Sequence, residues 1–239
     1  MDIWPAIDIR GGRCVRLREG DFNRETVFAA DPVDVASRWK AAGARRLHVV
    51  DLDGARDGRP ANRPLVERIV AETGLPVQLG GGIRDADILA AYLAAGVARV
   101  VVGTRAVEEP DWLAEMAGRH PGRVVLGLDA RNGRLASRGW LEITPVDVIE
   151  YVTRLPAVPL AGIVYTDIAR DGVMRGPNVE ATRRLAEATP LPVVASGGVS
   201  TLDDVAALAR LPIAGMIIGR ALYEGTINLK AAQEAAGDV

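Results

Sequence analysis

Eight short runs of apolar residues recur along the chain: Ile3 to Ile7, Leu47 to Val50, Val77 to Leu79, Val100 to Val102, Val124 to Leu128, Ile163 to Tyr165, Val193 to Ala195 and Met216 to Ile218. Each run is apolar throughout instead of alternating, the pattern of a strand covered on both faces, as in a parallel sheet flanked by helices. The longer segments between them carry helical spacing and recognisable helix starts. Asp31-Pro32-Val33 and Glu109-Pro110-Asp111 set proline in a first turn beside a capping acid, and Ser200-Thr201-Leu202-Asp203-Asp204 offers a hydroxyl cap. Gly43, Gly74 and Gly96 stand where helices should stop, since glycine enters the left-handed region without a Cβ clash. Strand and helix alternate eight times, which predicts an α/β fold of the (βα)8 kind.

The pattern is also written twice. Ile7-Asp8-Ile9-Arg10-Gly11-Gly12-Arg13 returns as Leu128-Asp129-Ala130-Arg131-Asn132-Gly133-Arg134, and Ala55-Arg56-Asp57-Gly58 returns as Ala169-Arg170-Asp171-Gly172. Leu75-Pro76-Val77 with Gly81-Gly82 is matched by Leu191-Pro192-Val193 with Gly197-Gly198, and Gly103-Thr104 by Gly219-Arg220. Repetition in constant order predicts one TIM barrel built from two half-barrels, about residues 1–121 and 122–239. No linker, low-complexity tract or charge block divides the chain, so His120-Pro121-Gly122 reads as a repeat boundary inside a single domain, 1–239.

Composition narrows the function. A chain of 239 residues matches the ~250 typical of such a barrel, and 49% hydrophobic with 4% aromatic content describes a core of Val, Ile, Leu and Ala. A net charge of −2 leaves no electrostatic footprint for nucleic acid or for a membrane surface, so an anionic ligand must be met by local design. The one cysteine, Cys14, allows no internal disulfide. No run reaches the ~18 apolar residues of a membrane span, and Met1-Asp2-Ile3-Trp4-Pro5 lacks the regions of a signal peptide. A cytoplasmic protein is expected.

Strand ends and the loops after them form the working face of this architecture. Asp8 and Asp129 end the first and fifth strands, which lie opposite each other in an eight-stranded barrel. A ligand across the mouth would have a carboxylate on either side, a placement suited to a general base and a general acid on one substrate. The alternative is that each aspartate caps the turn that follows it. Gly80-Gly81-Gly82-Ile83-Arg84 and Gly103-Thr104 end strands three and four, and Ser196-Gly197-Gly198 and Gly219-Arg220 end strands seven and eight. Backbone amides at such glycines favour an anion. Two matched sets suggest a long ligand with a phosphate at each end and its reacting centre between the aspartates.

Around this frame stand side chains with two readings each. Arg16 to Arg24 is too long for a plain connection, and Ser137-Arg138-Gly139-Trp140 extends the loop after strand five. Trp140 either stacks on a planar base or packs its loop against the barrel. Arg18 and Arg84 meet phosphate or ribose, or are solvated. Thr166, Asp167, Asp171 and Gly172 follow strand six and either orient a substrate hydroxyl or cap the next turn. His48 and His120 pair with no plausible nucleophile, no histidine cluster offers metal spacing, and Lys40 and Lys230 lie on helical stretches away from strand ends. Acid–base work without metal or cofactor remains.

At Pro5-Ala6-Ile7-Asp8, Gly12-Arg13-Cys14-Val15-Arg16-Leu17, His48-Val49-Val50-Asp51-Leu52-Asp53-Gly54-Ala55, Gly80-Gly81-Gly82-Ile83-Arg84, Gly127-Leu128-Asp129-Ala130, Arg138-Gly139-Trp140, Tyr165-Thr166-Asp167-Ile168, Arg170-Asp171-Gly172, Ser196-Gly197-Gly198-Val199 and Gly219-Arg220-Ala221-Leu222-Tyr223 the chain resembles the phosphoribosylformimino-5-aminoimidazole carboxamide ribotide isomerase family of histidine biosynthesis. The resemblance implies a cofactor-free Amadori rearrangement of a bis-phosphorylated aminoaldose ribotide, with Asp8 as base and Asp129 as acid. It further implies that Thr166 and Asp171 orient the substrate, that Trp140 stacks on its heterocycle, and that the protein is a monomer. The cyclase of the same pathway is similar but carries lysine where this chain has Arg16. A dual-substrate isomerase also acting on phosphoribosylanthranilate is the nearer alternative, although Arg138-Gly139-Trp140-Leu141-Glu142 lacks the glycine pair expected of it. A non-catalytic sugar-phosphate binder would lack one aspartate.

Overall fold

The structure is a computed structural model and describes residues 1–238. Its strands are β1 (Asp2–Arg10), β2 (Arg13–Arg18), β3 (Asp21–Ala29), β4 (Leu47–Asp51), β5 (Val77–Gly80), β6 (Arg99–Val102), β7 (Val124–Arg131), β8 (Arg134–Ser137), β9 (Glu142–Asp147), β10 (Gly162–Asp167), β11 (Val193–Ser196) and β12 (Gly215–Ile218). The eight apolar runs of the sequence all fall in parallel strands. These pair in the order β1, β4, β5, β6, β7, β10, β11, β12 and back to β1, closing a (βα)8 barrel.

Side-chain alternation divides the core into two layers. On β1, Ile3, Ile7 and Ile9 point outward into the packing between strands and helices, whereas Trp4 and Ala6 join Val125, Val164, Val194 and Ile217 inside the barrel. The same period of two carries the inward column upward. Trp4, Ala6 and Asp8 follow one another on β1, as Val125, Gly127 and Asp129 do on β7, so each apolar column is crowned by a carboxylate.

The ring of helices starts and stops largely as its sequence dictates. Asp31 accepts from Val33 N ahead of helix Pro32–Ala41, and Thr201 forms a reciprocal capping box with Asp204 ahead of helix Leu202–Ala209. Glu109 precedes helix Pro110–Arg119 without a side-chain cap. Gly74 is a left-handed cap at φ 64°, and Gly43 and Gly96 have φ of 96° and 92° just past their helices. Among the described residues no helix is long and apolar enough to cross a membrane.

Two segments read as long loops are hairpins instead. Gly11 and Gly12, at φ 54° and 76°, turn the chain so that Arg13 pairs with Arg10 and β2 runs back along β1, with β3 beyond it. Asn132 and Gly133, at 51° and 77°, do the same for β8 beside β7, and β9 follows. Positive φ at both central residues is the turn whose twist matches paired strands. Both hairpins rise from the strands that carry Asp8 and Asp129.

A further correspondence between the halves lies in the side chains that hold the strand ends. Asp51, fully buried at the end of β4, accepts from Gly54 N, Ala61 N, Asn62 N and Asn62 Nδ2 at 2.8 to 2.9 Å. Its counterpart Asp167, at the end of β10, accepts from Ala169 N at 3.0 Å and Asn178 Nδ2 at 2.6 Å. Asp167 is thus a capping residue and not one that faces a ligand. Asp51→Ala takes the acceptor from Gly54 N, Ala61 N and Asn62 N and one of two acceptors from Asn62 Nδ2, and a loss of roughly 3 kcal/mol is expected. Thermal unfolding should show Tm lowered by about 6 to 12 °C, and a shift within ~1 °C would contradict this account.

Candidate active site

The two glycine sets occupy matching places and share one backbone conformation. Gly81 and Gly197 have φ of 99° and 95°, and Gly82 and Gly198 have 72° and 89°. Gly103 and Gly219, each opening a short helix, have φ and ψ of −110°, −98° and −106°, −104°. Close approach explains the residue type. A Cβ on Gly81 would fall 2.1 Å from the Asp51 carbonyl oxygen, and one on Gly197 would fall 2.8 Å from that of Asp167. At both places the chain crosses the neighbouring strand end at backbone contact.

Between these cradles lies a cavity of about 270 Å³. Asp8, Gly81, Gly82, Arg84, Gly103, Thr104, Asp129, Trp140, Thr166, Asp171, Gly172, Ser196, Gly197, Gly198, Gly219 and Arg220 all line it. Arg18 does not. It is exposed at the far end of β2, where an irregularity in the β2–β3 pairing between Leu17 and Arg18 turns it off the inward column. Arg84 is exposed at the rim and donates to the Ala55 carbonyl at 3.1 Å. Arg220 donates to the Gly172 carbonyl at 2.9 Å.

The two strand-end aspartates share burial and differ in company. Burial pushes the Asp8 carboxyl above the ordinary carboxylate range, and the Arg16 guanidinium, whose Nη1 is 2.8 Å from Asp8 Oδ2, pulls it back toward the ionised form. Burial likewise raises Asp129, opposed only by hydrogen bonds from Trp140 and Thr166, with no cation beside it. The two carboxyls thus differ in company: a cation stands beside Asp8, and uncharged donors stand beside Asp129. Asp171, on the loop after β10, is pushed up to about 7 by burial, with Asp8 and Asp129 adding to the rise and Arg16 opposing it.

Sequence reasoning used Arg16 only to separate rival families and passed over its place in the cavity, where it joins Asp8. His48 and Arg105 were also missed. His48 lines the cavity floor from β4, its Nδ1 3.1 Å from Gln78 Nε2, and burial lowers it to about 3, so the ring is neutral. Arg105 stands beside Thr104 and donates to the Arg84 carbonyl. A readable signal for Arg16 existed, because the Gly11-Gly12 turn folds residues 14–16 back along Asp8.

The two hairpins cover the mouth from opposite sides and touch. A Cβ on Gly20 would fall 2.2 Å from the Trp140 ring. Glu19 N donates to the Asp171 carbonyl at 3.0 Å, and Arg138 N donates to Thr104 Oγ1 at 3.0 Å. Each hairpin tip is thereby fixed to a loop of the cavity wall.

The barrel mouth thus sets two glycine turns of one backbone shape on either side of two opposed carboxylates, the arrangement of a (βα)8 enzyme with its pocket at the strand ends. The chain belongs to the family described as Histidine biosynthesis protein, which it matches over residues 2–228. It is 50% identical over 242 residues to a protein of Rhodopirellula baltica, the match covering 100% of this chain and 96% of that relative. A Synechocystis protein is 49% identical over 241 residues, covering 100% and 94%. A Marinobacter nauticus protein is 50% identical over 237 residues, covering 98% and 97%. All three relatives are named as 1-(5-phosphoribosyl)-5-((5-phosphoribosylamino)methylideneamino) imidazole-4-carboxamide isomerase.

The raised Asp171 makes a stability prediction with a definite sign. Its folded value of about 7 exceeds the ordinary 3.8, so the folded state holds this proton more tightly than the unfolded chain. Its contribution is complete below about pH 4 and is lost as pH rises through about 7. Asp171→Asn, neutral throughout, should gain Tm relative to the parent protein between those limits and keep a constant advantage above them. Paired thermal melts at several pH values check this, and a difference that does not change with pH would refute it.

Proposed function

We propose that this chain catalyses the isomerisation named for its relatives, an Amadori rearrangement of a bis-phosphorylated aminoaldose ribotide to its aminoketose. The observation that carries the reading is the pair of buried carboxylates on opposite strands of the barrel, set between two cradles of the same backbone shape. A ligand with a phosphate at each end lies across the mouth, and its central sugar meets both acids.

Roles follow from the neighbours of each carboxylate. Asp129, without a cation, holds the proton that it gives to the ring oxygen of the ribofuranose, and the ring opens to a protonated imine. Asp8, which Arg16 draws toward the ionised form, removes the proton from C2 to give the enolamine, which tautomerises to the ketone. Thr166 donates toward Asp129, and Trp140, in reach of the same carboxylate, offers its ring to the heterocycle of the ligand. A substrate this strongly charged stays in the compartment where it is made, which supports a cytoplasmic place of work.

Steady-state turnover of the purified protein on the doubly phosphorylated aminoaldose ribotide tests the reading, with phosphoribosylanthranilate run alongside. Turnover of the first alone is expected. Asp8→Asn and Asp129→Asn should each lower kcat by at least ~10²-fold while the circular dichroism spectrum is retained. Normal turnover in either variant would remove that residue from the mechanism, and turnover of both substrates would make the enzyme dual-specific.

A further inference from the structure

Beneath Asp8 lies a group of contacts that the chemistry above does not use. Tyr223 ends the single-turn helix Arg220–Tyr223, which begins at Gly219 in the second cradle. Its hydroxyl donates to the Ala6 carbonyl at 2.7 Å, and the same carbonyl accepts from Arg16 Nη2. The Arg16 guanidinium carbon stands 5.2 Å from the centre of the Tyr223 ring. Against Arg16 also lies Gly219, where a Cβ would fall 2.8 Å from the guanidinium carbon. Arg16 is thus held by a ring, a glycine and a carbonyl, with Nη1 left to meet Asp8.

Tyr223 is itself fixed. Phe28 and Trp39 pack on it with ring centres 5.0 and 5.3 Å away, the second edge to face, and Cys14 Sγ lies 3.3 Å from its hydroxyl. We propose that Tyr223 is a positioning residue that orients Arg16 on Asp8 and joins the base to the second phosphate cradle through one helical turn. The proposal rests on the acid–base reading of the site. Its physical basis is the rotamer freedom of arginine, which stacking on an aromatic face and a shared acceptor remove.

The groups that face the pair identify Arg16 as the one that matters. From β2 come Arg16 and Cys14, from β4 His48, from the loop after β10 Asp171, from across the barrel Asp129, and from helix Pro32–Ala41 Arg38, which acts on Cys14. His48 is neutral, and Asp171 and Asp129 are acids. Arg16 is the cation in contact with Asp8, so moving it away raises the proton affinity of Asp8.

The test compares Tyr223→Leu and Tyr223→Phe with the parent protein, using ligand-free samples labelled with ¹³C at the aspartate carboxyls and the Asp8 signal assigned through Asp8→Asn. The Leu variant should titrate Asp8 about one unit higher, with the Phe variant, which keeps the ring but not the hydroxyl, in between. The acidic limb of kcat/KM should move by the same amount, and kcat should fall about 10-fold with KM changed far less. An Asp8 titration unchanged in the Leu variant, even with a lowered Tm, would overturn the proposal. Should the Leu variant not fold, an unchanged titration in the Phe variant would do so. An Asp8 titration that moves in a protein with no turnover on the ribotide would leave Tyr223 in this role and refute the acid–base reading instead.

Discussion

Nothing wider than a hydrogen fits between the loop leaving β5 and the end of β4, or between the loop leaving β11 and the end of β10. At Gly81 and Gly197 the chain passes over its neighbour at backbone contact, in a left-handed conformation that other residues enter at a cost of ~1–2 kcal/mol before any clash. Much else depends on this contact. Asp51 and Asp167 hold the turns beyond those strand ends through hydrogen bonds to backbone amides and to Asn62 and Asn178, so the surface on which each glycine rests is tied down by side chains of its own half. Gly81, Gly82, Gly197 and Gly198 are thereby set in the wall of the cavity that Asp8 and Asp129 also line.

The chemistry arises where the two halves cease to match. Both aspartates crown an apolar column and both are desolvated, so burial alone would make them equivalent acids. The first hairpin supplies Arg16 to Asp8, whereas the second supplies no cation to Asp129, whose partners are the uncharged Trp140 and Thr166. A single guanidinium is thus the charge that distinguishes two carboxylates in otherwise similar settings, and the proposed division into base and acid rests on it.

Much of this was legible in the chain because the information is local. Parallel strands buried on both faces read as unbroken apolar runs, and glycines forced by close contact recur at both copies of the repeat. The hairpins were less legible, since β3 and β9 are largely solvated and carry little hydrophobic pattern, although Gly11-Gly12 and Asn132-Gly133 mark their turns. Arg16 and Arg18 show why the remainder was not. They have the same parity on one strand, yet Arg16 lines the cavity and Arg18, past an irregularity in the β2–β3 pairing after Leu17, is exposed. Asp167 and Asp171 stand four positions apart and look equally suited to a ligand. A tertiary partner, Asn178, assigns the first to structure.

The likeness of the two cradles has a consequence for how a long ligand is read. On the proposed reading, a molecule with a phosphate at each end would meet nearly the same backbone whichever way round it entered, so the anion contacts on their own would leave head and tail indistinguishable. Direction must be decided by the features that differ across the mouth, the charged Arg16 on one side and the flat ring of Trp140 on the other. On that reading, two-fold likeness would supply the grip on a ligand, and the broken symmetry would supply its polarity.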